Sequence, residues 1–313
     1  MRLLSLRHIA ALSLFAVSAL LLNGCHGKDD PTQPGGSSPV SAIQSSVELL
    51  RSGDFNGLWK HMLPPADYAN LRADWSLQQH EQAPITAADR ARFEQAMQQL
   101  TGPDAENKLY IQLQPKLASM EQQYKDQLPV LISIGEAFVK NGINRSKNLS
   151  DTWKAQLGSV LDVLTPWARQ TPWFDQAKAK QAVGVAVATA RKLDLKSPEQ
   201  WRAMDFDATM GKYSTGYDGL RQLLAIYGLS VDDTLDSVKL SEVSNQGGHA
   251  VVKIDYTLLG KPLSTETRLV QENGRWYNED VLTNVRKSHE KLSQPQVAQT
   301  AAPVGTSSAV AED

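Results

Sequence analysis

The sequence predicts an α+β fold: a mainly helical N-terminal two thirds, a small antiparallel sheet of 3–4 strands, and a closing helix. Three observations support this prediction. Up to Gly228, apolar residues recur every three or four positions, which is the period of amphipathic helices. In 249–259 they alternate every second position, which is the period of a strand. Helices that come first and strands that come last are typical of α+β proteins.

Capping and breaking residues divide the helical part. Thr86 and Asp89 form a predicted capping box, Ser150 and Ser197 are predicted N-caps, and Gly228 is a predicted C-cap. The predicted helices span 41–53, 54–63, 86–100, 104–124, 129–142, 150–165, 175–193, a short segment from 197, and the region around 220–227. Pro64 and Pro65 are expected to end the second of these helices.

The C-terminal part predicts a meander of strands joined by tight turns. The strands are expected at 235–243, 249–259, 263–271 and 275–277, with glycine-containing turns between them. A helix from about Asp280 to Leu292 then closes the fold.

Composition divides the chain into four parts. Residues 1–24 have a positive start and an apolar run, which is the pattern of a secretory signal. Residues 25–39 are rich in Gly, Pro, Ser and Asp and predict a flexible tether. Residues 40–292 form the folded body, and 293–313 predict a disordered tail because they are rich in Ala, Gln, Pro, Ser and Thr and have no aromatic residue.

The apolar run Ile9–Leu22 has fourteen residues and ends three positions before Cys25, the only cysteine of the chain. A membrane-spanning helix needs about 20 apolar residues, which is more than this run contains. Leu22-Asn23-Gly24-Cys25 resembles the lipobox of bacterial lipoproteins. The resemblance implies cleavage between Gly24 and Cys25 and a lipid on the Cys25 sulfur.

That resemblance also implies a location. The protein is expected in the cell envelope, anchored to a membrane through the lipid on Cys25. In enteric lipoproteins an Asp after the cysteine retains the protein in the inner membrane, and this chain has His26 there. The expected location is therefore the periplasmic face of the outer membrane.

The C-terminal strands resemble the nuclear-transport-factor-2-like (cystatin-like) superfamily. The resemblance rests on AVVKIDYTL in 250–258, on LVQENGRWY in 269–277, and on helices at 41–65 with Gly53-Asp54-Phe55 between them. It covers about a third of the chain and implies a curved sheet around a pocket. Members of that superfamily include enzymes and binding proteins, so the fold alone does not choose a function.

Charge and motifs exclude several classes of function. The net charge is −2 and no basic block occurs, so nucleic acid is not an expected partner. No cofactor is expected, because phosphate-loop and dinucleotide motifs are absent from the sequence. No metal site and no catalytic residue is assigned. The histidines of the body, which are His61, His80, His249 and His289, are far apart and are expected at the surface or at the rim of the fold.

Asp255 is the one candidate for a pocket acid, because it lies inside a predicted strand, where acids are depleted. Burial would raise its pKa toward that of a general base. The simpler interpretation is that Asp255 belongs to the solvated face of the strand, and alternation favours it. Trp167 and Trp173 are either an exposed aromatic platform or, more commonly for such residues, a buried helix corner.

Three kinds of function remain open. The first is an envelope lipoprotein that binds a protein, the cell wall or a small apolar ligand without catalysis. The second is a pocket enzyme of the nuclear-transport-factor-2-like type that uses Asp255. The third is an envelope inhibitor or immunity lipoprotein. The sequence favours binding, and an exposed apolar patch would support that interpretation.

Lipidation of Cys25 is directly testable. Cys25→Ala should leave either an unlipidated protein in the periplasm or an uncleaved precursor, because no other thiol can receive the lipid. Fractionation and mass spectrometry of the mature N-terminus measure both. A cleaved Cys25→Ala protein that stays in the membrane as the wild type does would contradict the prediction.

Overall fold

The computed structural model describes residues 30–147 and 149–294. Within them, eleven helices precede one four-stranded antiparallel sheet, and a twelfth helix follows it. The predicted α+β fold is therefore confirmed. The predicted signal with Leu22 and Gly24, the anchor Cys25, and the tail from 295 lie outside the described residues.

The element bounds agree with most of the predicted segments. The helices before the sheet are α1 Pro39–Ser52, α2 Phe55–Met62, α3 Pro65–Glu81, α4 Ala87–Thr101, α5 Ala105–Tyr124, α6 Leu128–Arg145, α7 Asp151–Gln170, α8 Gln176–Leu193, α9 Pro198–Arg202, α10 Phe206–Ile226 and α11 Val231–Asp236. The sheet and the last helix are β1 Lys239–Gln246, β2 His249–Leu258, β3 Lys261–Glu272, β4 Arg275–Asn278 and α12 Glu279–Ser293.

Helix α4 begins at the predicted capping box. The Thr86 hydroxyl accepts from the Asp89 backbone N–H at 3.1 Å, and the Asp89 carboxylate accepts from the Thr86 backbone N–H at 3.0 Å. Hydrogen bonds from Thr86 lower the pKa of Asp89 to about 2. Two orphan backbone donors are thereby satisfied by neighbouring side chains.

Helix α3 is the longer of two helices that the sequence prediction missed, the other being the short α11. Pro64 and Pro65 were expected only to end α2, but Pro65 is also the first residue of α3, a position where proline is favoured because no backbone donor is needed. Two acids of α3, Asp67 and Asp74, are buried. A helix with charged residues on its buried side lacks the simple apolar stripe by which helices are recognised.

The four strands pair in chain order, as a meander. The predicted first strand was placed too early, because its opening residues belong to α11 and β1 starts at Lys239. Its pairing with β2 contains an irregularity between Glu242 and Ser244. The β3–β4 turn has Asn273 and Gly274 at positive φ, which those two residue types tolerate best.

Helices cover both faces of the sheet. On one face, Ala42, Ile43 and Val47 of α1 form a core with the buried residues Ala250, Val252, Leu269 and Trp276. On the other face, Leu63, Tyr277 and Leu282 form a second core with side chains of α2, α3 and α12. The sheet is therefore a middle layer at β4 and the adjoining end of β3, whereas β1 is mostly exposed.

The end of the predicted tether is part of the folded body. Gly36 forms an antiparallel bridge with Trp276, with N···O distances of 3.0 and 2.9 Å. A Cβ on Gly36 would lie 2.3 Å from the Ala42 backbone nitrogen, so only glycine fits between α1 and β4. The boundary between tether and body, predicted at residue 39, therefore lies before Gly35.

Substitution of Trp276 tests the first core, which lies between α1 and the sheet. Its side chain is 5% exposed, so Trp276→Ala should lower the free energy of unfolding by about 3–5 kcal/mol. Urea titration followed by circular dichroism measures the loss. The matched control is Trp153→Ala, since Trp153 is 44% exposed and its loss should be below about 1 kcal/mol. Equal losses for the two variants would contradict the assignment of Trp276 to the core.

Candidate functional site

The outward side of α6 is the strongest candidate for an interaction surface. Five large apolar side chains are exposed there, and we call them the α6 face: Val130, Leu131, Ile134, Phe138 and Val139. Phe138 is 80% exposed, and the other four are between 45% and 61% exposed. Because three of them follow one another at intervals of four residues, they lie along one side of the helix.

Charge is nearly absent from this side of the helix. Among the described side chains of α6, the exposed ones are uncharged except for Arg145 at the C-terminal end. A helix on the surface of a water-soluble protein normally turns its charged side to solvent. The α6 face has the opposite polarity.

The other two charged residues of α6 instead lie in the seam with α7. Glu136 bridges Lys140 at 2.8 Å and Arg169 of α7 at 3.1 Å, and Lys140 bridges Asp162 of α7 at 2.6 Å. Hydrogen bonds to Asp162 and Glu136 raise the pKa of Lys140 above its ordinary value. The hairpin of α6 and α7 therefore pairs its charges internally and leaves apolar side chains outside.

A cleft of about 310 Å³ lies between the sheet and the first turns of α7. Its polar side chains already bind one another. The Thr265 hydroxyl donates to Gln156 Oε1 at 3.1 Å, and Asn278 Nδ2 donates to the Thr267 hydroxyl at 2.8 Å. A polar ligand would have to replace these contacts, so the cleft is a weaker candidate site than the α6 face.

Asp255, the predicted pocket acid, is not among the residues that line this cleft. Its side chain is 42% exposed and lies 3.0 Å from the Lys253 ammonium. Hydrogen bonds from Lys253 and Ser264 lower the pKa of Asp255 below its ordinary value. This shift is opposite to the rise that would make Asp255 a better general base.

The aromatic cluster after α7 forms a helix corner and not an exposed platform. Trp167 donates through Nε1 to the Tyr227 carbonyl at 2.9 Å, and Trp173 donates to the Ala168 carbonyl at 2.7 Å. The two indole rings meet edge to face at 5.5 Å. They join the end of α7 to the end of α10, which fits their simpler interpretation.

A charged seam joins α3 to α12. Arg286 donates to both oxygens of Asp67 at 2.9 and 2.8 Å, and to both oxygens of Glu272 at 2.7 and 2.8 Å. Further along, His289 Nδ1 lies 2.9 Å from the buried Asp74 carboxylate. These two bidentate contacts of the Arg286 guanidinium fix α12 against α3 and against the end of β3.

A second polar junction holds α3 to α10. The Tyr68 hydroxyl donates to Asn56 at 2.7 Å and contacts Asp207 at 3.2 Å, and Asp207 also accepts from Arg72 at 2.6 Å. Burial, followed by the charge of Asp207, raises the pKa of Tyr68 to about 12. Asp207 is thus a contact between helices.

His61 corrects the expectation that the histidines of the body lie at the surface. It is 1% exposed, and its ring nitrogens lie 2.8 Å from the Gln33 carbonyl and 2.9 Å from the Ala42 carbonyl. The ring therefore ties the N-terminal segment to α1 and α2. His249 is exposed as expected, with a 65% accessible side chain, and His289 is half-buried.

In residues 30–147 and 149–294, no group of three or more His, Cys, Asp or Glu side chains could hold a metal ion. None of the helices in the same ranges is both long and apolar enough to cross a bilayer.

Comparison of the chain with family models, with curated proteins and with solved structures finds no match. The resemblances to bacterial lipoproteins and to the nuclear-transport-factor-2-like superfamily therefore stay predictions.

Two acids test which charged contacts support the fold. Asp67→Asn should lower the melting temperature by about 4–8 °C, because the buried side chain would lose charge-assisted bonds to Arg286. The matched variant Asp255→Asn should change the melting temperature by no more than about 2 °C, because Asp255 and its partner Lys253 are both exposed to water. Scanning calorimetry at neutral pH measures both. A larger effect for Asp255→Asn than for Asp67→Asn would contradict this ranking.

Proposed function

We propose that the protein is an envelope lipoprotein, held through lipid on Cys25 at the periplasmic face of the outer membrane, which acts by binding and not by catalysis. The α6 face is the surface that it uses. The lipobox residues support the location, and the polarity of the hairpin of α6 and α7 supports the mode of action.

The observation on which this proposal depends is the exposed apolar stripe of Val130, Ile134 and Phe138. Exposing such side chains to water is unfavourable by about 25 cal/mol per Å² of apolar surface. Contiguous apolar surface of this kind is typical of sites that meet a protein or a membrane. The charged seam with α7 supports the same interpretation, because repacking α6 with its apolar side inward would separate paired charges.

The alternative of a pocket enzyme has less support. It requires an acid inside a pocket, and Asp255 is half-exposed beside Lys253. An envelope inhibitor or immunity lipoprotein is the second alternative, and its partner would also have to cover the α6 face.

Protection of a thiol in the envelope tests the proposal. Phe138→Cys and the control Ser244→Cys each add one thiol at an exposed position of the lipidated protein. A membrane-impermeant maleimide is applied to opened envelopes and, as the free reference, to the same variants purified without detergent in a Cys25→Ala background. Position 138 should be protected in envelopes and labelled in the reference, whereas position 244 should be labelled in both.

The parent protein without an added cysteine gives the background level of maleimide labelling, because lipid would block the sulfur of Cys25. Circular dichroism checks that both variants fold as the parent does. Equal labelling of positions 138 and 244 in envelopes would contradict the proposed function.

A further inference from the structure

We infer that the α6 face binds the lipid bilayer itself, with α6 lying in the plane of the membrane interface. This inference rests on the proposed function and names its partner. Four observations lead to it: the chemistry of the face, its charge, the length of the N-terminal connection in the sequence, and the position of the start of α7.

The chemistry of the α6 face suits acyl chains. Its side chains are aliphatic with one phenylalanine, and Gly135 and Ala137 between them are small and exposed. A helix that lies in a membrane interface buries its apolar side by about 5–10 Å and keeps its polar side toward water. In α6 the polar side packs against α7. The apolar side of the helix would therefore meet lipid, and the polar side would stay in contact with the protein.

The charge of the face also suits a bilayer. Glu136, the only acid of α6, has an 18% exposed side chain and is held between Lys140 and Arg169. No carboxylate of α6 would therefore approach the anionic headgroups. Arg145 can extend its guanidinium to a lipid phosphate while its carbon chain stays along the apolar side.

The N-terminal connection is short. The Gln33 carbonyl is held by His61, and Gln33 follows Cys25 by eight positions. Eight residues reach at most about 29 Å even when fully extended. A lipid on Cys25 would therefore keep the folded body within that distance of the bilayer surface.

The start of α7 lies close to the elements that hold the N-terminal segment. Ser150 and Trp153 at the start of α7 line the same cleft as Ile43 of α1 and Asn278 of β4. Gly36 is held between the same two elements, α1 and β4. The connection between α6 and α7, which ends at Ser150, is therefore on the part of the body that includes α1 and β4.

Depth-dependent quenching tests the inference. The full chain with Cys25→Ala receives one fluorophore, at Phe138→Cys or, as control, at Ser244→Cys on β1, which packs on β2 and α1. Each protein is mixed with vesicles of phosphatidylethanolamine and phosphatidylglycerol, with or without spin-labelled acyl chains. The apolar run 9–22 remains in every variant, so the readout is the depth of each position and not attachment alone.

The probe at position 138 should lose fluorescence to the spin-labelled chains, and the probe at position 244 should keep it. Adding Ile134→Asp should abolish the loss at position 138, because a carboxylate on the face opposes burial in lipid. The matched substitution Ile111→Asp changes another exposed isoleucine, on α5, and should leave the loss unchanged.

The outcomes separate the two proposals. Absence of quenching at position 138, together with protection of that position in envelopes, would overturn the bilayer as partner and leave the proposed function with a protein partner. If position 138 is neither quenched in vesicles nor protected in envelopes, the bilayer as partner and the proposed function are both overturned. Self-association in vesicle-free buffer that is abolished by Ile134→Asp, without quenching in vesicles, would make a second copy of the chain the partner and would also overturn the inference.

Discussion

The architecture depends on the contact between the N-terminal segment and the edge of the sheet. Gly36 pairs with Trp276, and a side chain at Gly36 would collide with the first turn of α1. His61 holds the carbonyls of Gln33 and Ala42, so α2 is fixed to the same segment. One junction thus covers the open edge of β4, sets α1 on one sheet face, and determines where the chain leaves the body toward Cys25.

The order of elements could be predicted from the sequence because helix and strand periods differ and because caps are local signals. The junction and α3 could not be predicted in the same way. Gly35 and Gly36 have the composition of a flexible linker, although at Gly36 glycine is needed for close packing against Ala42. Helix α3 buries Asp67 and Asp74, whose partners Arg286 and His289 come more than two hundred residues later. Neither local composition nor periodicity contains information about contacts so distant in sequence.

The candidate site shows a similar limit. The sequence predicted a helix through Ile132 and Phe138, but periodicity indicates only that one side is apolar. Whether that side is covered depends on what packs against it. The structure packs the charged side of α6 against α7, through Glu136 and Lys140, and leaves Phe138 outside. Asp255 is the converse case: its place in a strand drew attention, and alternation alone was enough to put it beside Lys253 on a solvated surface.

A lipid anchor would explain how an apolar face as small as the α6 face could be sufficient to hold the body against a bilayer. A free protein that bound a bilayer through a few side chains of α6 would lose translational and rotational freedom, and the gain would be modest. A protein already held by lipid on Cys25 has lost most of that freedom, so contact of the α6 face becomes an intramolecular event at high effective concentration. The short connection from Cys25 to Gln33 strengthens this effect, because a short linker confines the body near the surface. The second contact can then fix the orientation of the body, and with it the surfaces that face the periplasm, without adding much to the strength of attachment.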